Sequence, residues 1–393
     1  MENLKEYIEI ITPGDKEAME EARKRQDSRV KVPKSLGRLE NISIKLAGIT
    51  GKAYGNQVNN QAIVLMCGDN GVVEEGVASA PQTVTLMQTI NFTKKITGVG
   101  SQAKYFDIDL LPVDVGVKLP IDSEYLTEEM AFNNKVVNRR IAHGTKNFMK
   151  EPAMTREETL KAIWTGIEAL EACKAAGKNL VGVGEMGIGN TTTASALIAG
   201  CTLETRTSAP WNLYSYIDRI VGRGGGLNDA GLELKKKIVA EGLNKYLDTF
   251  RTKGKDGEEV IDYLTLLQVL GGFDIAAMVG VYLGAAANKI PAVVDGVISM
   301  AAALMAVKME PKVKDYIFTS HKSDEGGYSV AAEILGVEPM YDLGMKLGEG
   351  SGCPIAFKII EAACAVINNM WSLEEAQVDS AYLEKLKEEG QFR

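Results

Sequence analysis

The chain has 393 residues, 45% hydrophobic and 24% charged, with a net charge of -8. That is enough apolar material for a sizeable core, and no Lys/Arg-rich run marks a nucleic-acid or acidic-membrane partner. Two histidines and five cysteines without a CxxC pair argue against a zinc site and for free thiols in a reducing, cytoplasmic compartment.

The N-terminal segment to about Gln26 reads as helical and lacks an apolar signal core. Short apolar runs closed by Gly, Asp or Ser follow at Ala62–Cys67, Leu111–Val115, Leu180–Val183, Ala292–Val294 and Tyr316–Thr319. Such runs are the signature of parallel strands buried on both faces. Longer helical stretches alternate with them: Arg156–Ala176, Thr191–Ala199, Leu227–Leu247, Glu258–Leu270 and Ile275–Ala287. No run reaches the ~18 apolar residues of a membrane span. Pro120–Arg140 reads as polar and irregular, Arg251–Glu259 as a surface loop, and the chain after about Pro354 as helical. The fold class expected is α/β: a doubly wound, mostly parallel sheet with a small helical domain formed from both termini. The division is residues 1–30 plus 355–393 for the helical domain and 31–354 for the α/β domain.

The strongest local signal is Gly184-Glu185-Met186-Gly187-Ile188-Gly189-Asn190-Thr191-Thr192-Thr193. It joins an apolar strand to a helix with Asn190 or Thr191 as N-cap. Glycines let backbone approach an anion, and a helix N-terminus offers free N–H groups. The run partly matches GxGxxG and the Walker spacing, but Asn190 stands where the Walker lysine belongs, which argues against an NTPase. Glu185 would put a carboxylate inside a pyrophosphate cradle. A turn without ligand remains open at this point.

Other glycine-rich segments are Gly222–Gly231, with Lys235 about two turns on, Ser320–Gly327 and Leu347–Gly352. Lys34–Glu40 and Cys67–Gly71 are also marked. His321 reads either as an acid/base or as a loop histidine bonded locally, and Glu349 as an acid on closely approachable backbone or as part of a turn.

Together, Ser35-Leu36-Gly37-Arg38-Leu39, Gly68-Asp69-Asn70-Gly71-Val72, Glu74–Val77, Gly184–Thr192, Val221–Gly224, Asp229–Leu232, Gly271–Ala276, Ser320–Ser323 and Leu347–Gly350 resemble the nicotinate-nucleotide–dimethylbenzimidazole phosphoribosyltransferases of cobamide lower-ligand activation. The resemblance implies transfer of 5-phosphoribose from nicotinate mononucleotide to an aromatic base, without cofactor or metal, and a homodimer or a heterodimer with a paralogous subunit. It implies Glu349 as general base and Glu185 beside it. It also implies nucleotide and phosphate contacts at Gly184, Met186, Gly187, Gly189, Asn190, Thr191, Lys235, Gly271, Gly272 and Ser323, and an acceptor pocket at Asn70, Ala78, Leu86 and Leu347. Three positions depart from the family pattern: Asn70 replaces a histidine, Ala78 a serine, and Leu86 a glutamine. Of these, Ala78 and Leu86 predict a more apolar, donor-poor acceptor pocket, for which phenol or p-cresol is an alternative acceptor to dimethylbenzimidazole. Two competing readings are a non-catalytic paralogue of such an enzyme and a dinucleotide-dependent dehydrogenase with Glu204 as its ribose acid.

Overall fold

The structure, a computed structural model, describes residues 4–205, 213–254, 256–379 and 381. Its strands in chain order are β1 (Gln61–Gly68), β2 (Asp109–Gly116), β3 (Leu126–Thr127), β4 (Val136–Asn138), β5 (Leu180–Met186), β6 (Arg251–Lys253), β7 (Glu259–Ile261), β8 (Ala292–Val294) and β9 (Ile317–Thr319). Seven of them form one sheet, ordered β3-β4-β2-β1-β5-β8-β9, and every neighbouring pair is parallel. β1 and β5 are buried along their whole length, as the continuous apolar runs predict.

The chain passes from β1 to β2, on to β3 at the edge and back to β4 between β3 and β2, then crosses to the other side of β1 for β5, β8 and β9. The order therefore reverses between β1 and β5. In an open α/β sheet, ligands gather in the crevice outside the strand ends at such a reversal.

The sequence misses three features. β3, at the sheet edge, and β4 beside it lie within the segment read as irregular, and they are short and only partly buried, so they carry no continuous apolar run. Arg251–Glu259 is not a plain loop: β6 and β7 pair antiparallel. The helix expected from Glu258 begins at Tyr263, where Asp262 accepts Thr265 N–H at 3.0 Å.

Helices cover both faces. The helices Arg156–Ala175 and Phe273–Ala287 touch backbone to backbone. A β-carbon on Gly166 would lie 1.8 Å from Ala277 O, and one on Gly280 would lie 1.8 Å from Ile163 O. Only glycine permits that approach. At the termini, the helices Lys16–Asp27, Arg38–Thr50 and Cys353–Asn369 share a small core of Ala18, Ala22, Ile44, Ala47 and Ile367. Arg25 Nε donates to Ile367 O and Arg29 Nη1 to Met370 O, each at 2.8 Å. These cations complement the last carbonyls of the C-terminal helix. Residues 1–3, 380 and 382–393 of the predicted terminal segments lie outside the described residues. Among the described residues no helix is long and apolar enough to cross a membrane.

Candidate active site

A cleft of about 200 Å³ opens at the reversal, over the carboxyl ends of β1 and β5. One wall is Val77–Ala80, from the segment after β1. The floor is Glu185–Thr191, where β5 turns into the helix Asn190–Cys201. Gly224 and Gly225, Gly296, Ser323 and Glu325, and Lys346–Glu349 complete it.

Two glutamates meet in this cleft. Glu185 is the penultimate residue of β5, and its side chain is buried beside Asp274, the second residue of the helix Phe273–Ala287. The Asn190 amide bridges them, donating to Glu185 Oε2 and, at 3.0 Å, to Asp274 Oδ2. Burial, then the Asp274 charge, raises the Glu185 pKa from the ordinary 4.5 to about 8. Burial likewise raises Asp274 to about 7. Desolvation and neighbouring like charge both disfavour an ionised carboxyl, so this cluster holds protons near neutrality.

Glu349 comes from a separate loop laid directly on β5. Gly348, Glu349 and Gly350 have φ of 80°, 61° and 74°, and the left-handed conformation is strained at a residue with a β-carbon. The loop is held at several points. Glu349 N–H donates to Glu185 Oε1 at 3.4 Å. Gly350 N–H and Gly352 N–H donate to Asp295 Oδ2 and Oδ1 at 2.9 and 2.7 Å. Gln88 Nε2 donates to Glu349 Oε1 at 2.9 Å, whereas Glu349 Oε2 accepts no hydrogen bond from any described residue. Burial raises the Glu349 pKa, the Gln88 bond lowers it, and the Asp295 charge raises it further. Glu349 is thus a buried carboxylate with one free oxygen and increased basicity.

The other end suits an anion. The helix Asn190–Cys201 starts after Gly189, whose φ is 94°, with no side chain capping it. The expected N-cap, Asn190 or Thr191, is displaced: Asn190 is already helical because its amide is committed to the carboxylates below. Lys235 is fully buried beneath this end, with Nζ 2.9 Å from Thr191 Oγ1 and 3.0 Å from Gly222 O. Burial lowers its pKa to about 8. The Thr192 hydroxyl is buried without a partner among the described residues.

Of the residues singled out from sequence, Glu185, Met186, Gly187, Gly189, Asn190, Thr191, Ser323, Ala78, Leu347 and Glu349 line the cleft. Gly184 and Lys235 lie just behind it. Gly271 and Gly272 do not reach it. A β-carbon on Gly272 would strike Asn70 Oδ1 at 2.4 Å and Asp274 Oδ1 at 2.5 Å, so it packs under the carboxylates. Asn70 is also beneath the floor rather than on a wall. Its amide faces Asp274 at 3.4 Å, and its Oδ1 accepts from Thr193 Oγ1 at 2.8 Å. Leu86 is packed against the core. On the helix Thr83–Thr93, residues two apart point about 200° from each other, so with Gln88 facing Glu349, Leu86 faces away. Leu86 does not line the cleft, and Gln88, which sequence reading missed, reaches the site through its bond to Glu349. Asp274 and Asp295 were also missed as site residues, since their partners are remote in sequence. The side chain of Glu204 lies outside the described residues.

Comparison with known proteins agrees with this geometry. The model of the phosphoribosyltransferase family DBI_PRT matches residues 11–378. A nicotinate-nucleotide–dimethylbenzimidazole phosphoribosyltransferase of Clostridium perfringens is 46% identical over 98% of this chain and 98% of its own length. The enzyme of the same name from Clostridium tetani is 41% identical, over 99% of both chains. A solved structure from Thermus thermophilus, also bearing that name, superimposes with a TM-score of 0.80 at 32% identity, covering 93% of this chain and 99% of its own.

Proposed function

This chain belongs to the DBI_PRT phosphoribosyltransferase family and is a phosphoribosyl-transferring enzyme, and we propose that it moves 5-phosphoribose from nicotinate mononucleotide to 5,6-dimethylbenzimidazole. The observation that carries this reading is the juxtaposition of Glu349 and Glu185, joined at 3.4 Å, with an uncapped helix N-terminus over Lys235 in the same cleft.

Nicotinate bonded to ribose through its ring nitrogen is a pyridinium, and it departs as a neutral ring nitrogen without an acid or a metal. The phosphate rests on the Gly187–Thr191 turn, with Ser323 at its side and Lys235 beneath. As the C1′–nitrogen bond breaks, its electron pair leaves with nicotinate and C1′ gains oxocarbenium character. The Glu185–Asp274 cluster, in its ionised form, then stabilises the developing positive charge. The benzimidazole nitrogen attacks the opposite face of C1′, which inverts that centre and gives an α-ribosyl nucleotide. The N–H proton released from the ring passes to Glu349 Oε2, the oxygen without a partner, and a raised pKa suits that oxygen to the task.

The benzimidazole is the acceptor in the names of the relatives, and Gln88 orients Glu349 through Oε1. A phenolic acceptor is the second reading, supported by Val77, Ala78 and Leu347 on the wall. A neutral phenol has a pKa near ~10 and presents Glu349 with a harder deprotonation. Turnover of nicotinate mononucleotide with dimethylbenzimidazole, phenol and p-cresol in parallel, followed by chromatography of the nucleotide product, separates the two. The benzimidazole product should dominate. A chain that turns over only phenolics would contradict the assignment of the acceptor.

A further inference from the structure

His321 lies at the C-terminal end of β9 and has no exposed surface. It lines no part of the cleft, so it does not act on substrate directly. Its surroundings point to a different task. The Nδ1 atom is 3.1 Å from Ser320 Oγ and 3.8 Å from Asp295 Oδ1. Asp295 is the carboxylate that takes Gly350 N–H and Gly352 N–H. These three side chains enclose the α-carbon of Gly352. A β-carbon there would lie 2.2 Å from His321 Nδ1, 2.6 Å from Ser320 Oγ and 2.9 Å from Asp295 Oδ1.

The segment leading into the loop is tied to the same place. His321 forms a parallel bridge with Tyr341, and Lys322 N–H donates to Tyr341 O at 2.9 Å. The Tyr341 hydroxyl closes the ring by donating to Gly352 O at 2.7 Å. The charged and titratable groups around the imidazole are Asp295, Tyr341, the Lys322–Asp342 pair and, beyond Asp295, Cys353, Glu349 and Glu185. The far ring nitrogen, Nε2, is buried with no partner among the described residues and faces Gly296, where a β-carbon would stand 3.9 Å away. A buried polar atom without a partner is unfavourable and calls for a reason.

We infer that His321 is a positioning residue for the transfer reaction: with Ser320 and Asp295 it forms the socket that seats Gly352, and the socket fixes the strained backbone that carries Glu349. The inference rests on the function proposed above. Glu349 holds a left-handed conformation that the loop would not keep unsupported. Its free oxygen is useful only where the acceptor arrives, and displacing a catalytic group by about 1 Å costs on the order of 10²-fold in rate.

The test uses the full chain and three variants, His321→Ala, His321→Asn and His321→Gln, each checked by thermal melting. The asparagine amide nitrogen overlays Nδ1 and keeps a hydrogen-bonding nitrogen on the socket side, whereas the glutamine amide nitrogen overlays Nε2 and leaves that side without one. Wild-type turnover of nicotinate mononucleotide with dimethylbenzimidazole is measured first, and its absence would refute the proposed function rather than this role. Given turnover, His321→Ala should lose about 10²-fold in kcat, with KM for nicotinate mononucleotide within about threefold. His321→Asn should exceed His321→Gln in kcat by about 10-fold, the scale of one hydrogen bond. If the alanine variant does not fold, that contrast decides alone. Equal kcat for the asparagine and glutamine variants overturns the inference. So does an effect confined to KM for the nucleotide, which would assign Nε2 to the donor end.

Discussion

Replacing Gly184 by alanine tests whether the base loop is held by its seat on β5. Gly184 pairs with Leu65 in the parallel β1–β5 register. A β-carbon there would lie 2.5 Å from Gly350 N, 2.6 Å from Gly350 Cα and 2.9 Å from Leu65 Cδ2. The Gly350 backbone must therefore retreat by about 0.9 Å, the shortfall between 2.5 Å and the 3.4 Å at which ordinary contact begins. Neither partner relieves this easily, since β5 is central in the sheet and Gly350 N is bonded to Asp295. Glu349 adjoins Gly350 and moves with it. A displacement near 1 Å predicts a loss of about 10²-fold in kcat. Overpacking costs about 1–3 kcal/mol of stability, so the melting temperature should fall while the chain still folds. KM for nicotinate mononucleotide should stay close to wild type, because the Thr191–Lys235 end is not touched. Steady-state kinetics with dimethylbenzimidazole and a thermal melt read both effects. Wild-type kcat in a folded Gly184→Ala chain would refute the argument, as would a raised nucleotide KM with kcat intact.

Three further outcomes follow from the same geometry. Gln88→Ala removes the donor to Glu349 Oε1; loss of a hydrogen bond to a charged group predicts roughly 10- to 100-fold lower kcat, read by steady-state kinetics. Lys235→Met removes the buried cation beneath Thr191 and should raise KM for nicotinate mononucleotide by roughly 10- to 100-fold, with a smaller effect on KM for the base. Glu185 has a folded pKa of about 8 against 4.5, so the folded state binds its proton more tightly than the unfolded chain. Its stability contribution is complete below the unfolded value and is lost as pH rises through the folded one. The melting temperature of Glu185→Gln relative to wild type should therefore climb between the unfolded value of 4.5 and the folded value of about 8, and a difference independent of pH would contradict the assignment.

Five of the seven sheet strands and their order of appearance are legible because a strand covered on both faces must be apolar throughout, as Ala62–Cys67 is, and even the three-residue β8 and β9 are fully buried. β3 and β4 are not legible: they are only partly buried and lie in a polar stretch, and pairing of β4 with β2 and of β3 with β4 is what makes them strands. The glycine loop is recognisable because helix entry and close approach demand particular residue types over a short span. What sequence hides is which side chains converge from afar. Asp295 looks like a single unremarkable acid, yet it clamps a loop 55 residues on in the chain. Gln88 becomes visible only once the phase of its helix is known, and the same phase turns Leu86 away. Asn70 sits in a marked motif but spends its hydrogen bonds below the floor, on Asp274 and Thr193.

The central claim is that Glu349 removes the acceptor proton in a cleft that binds nicotinate mononucleotide independently of it. Glu349→Gln keeps the shape and the Gln88 neighbour while removing the base. Its turnover with dimethylbenzimidazole should fall by about two or more decades, with nicotinate mononucleotide still binding in a direct titration at close to wild-type affinity. Undiminished turnover would remove Glu349 from the role, and lost nucleotide binding would show that it serves the donor end instead.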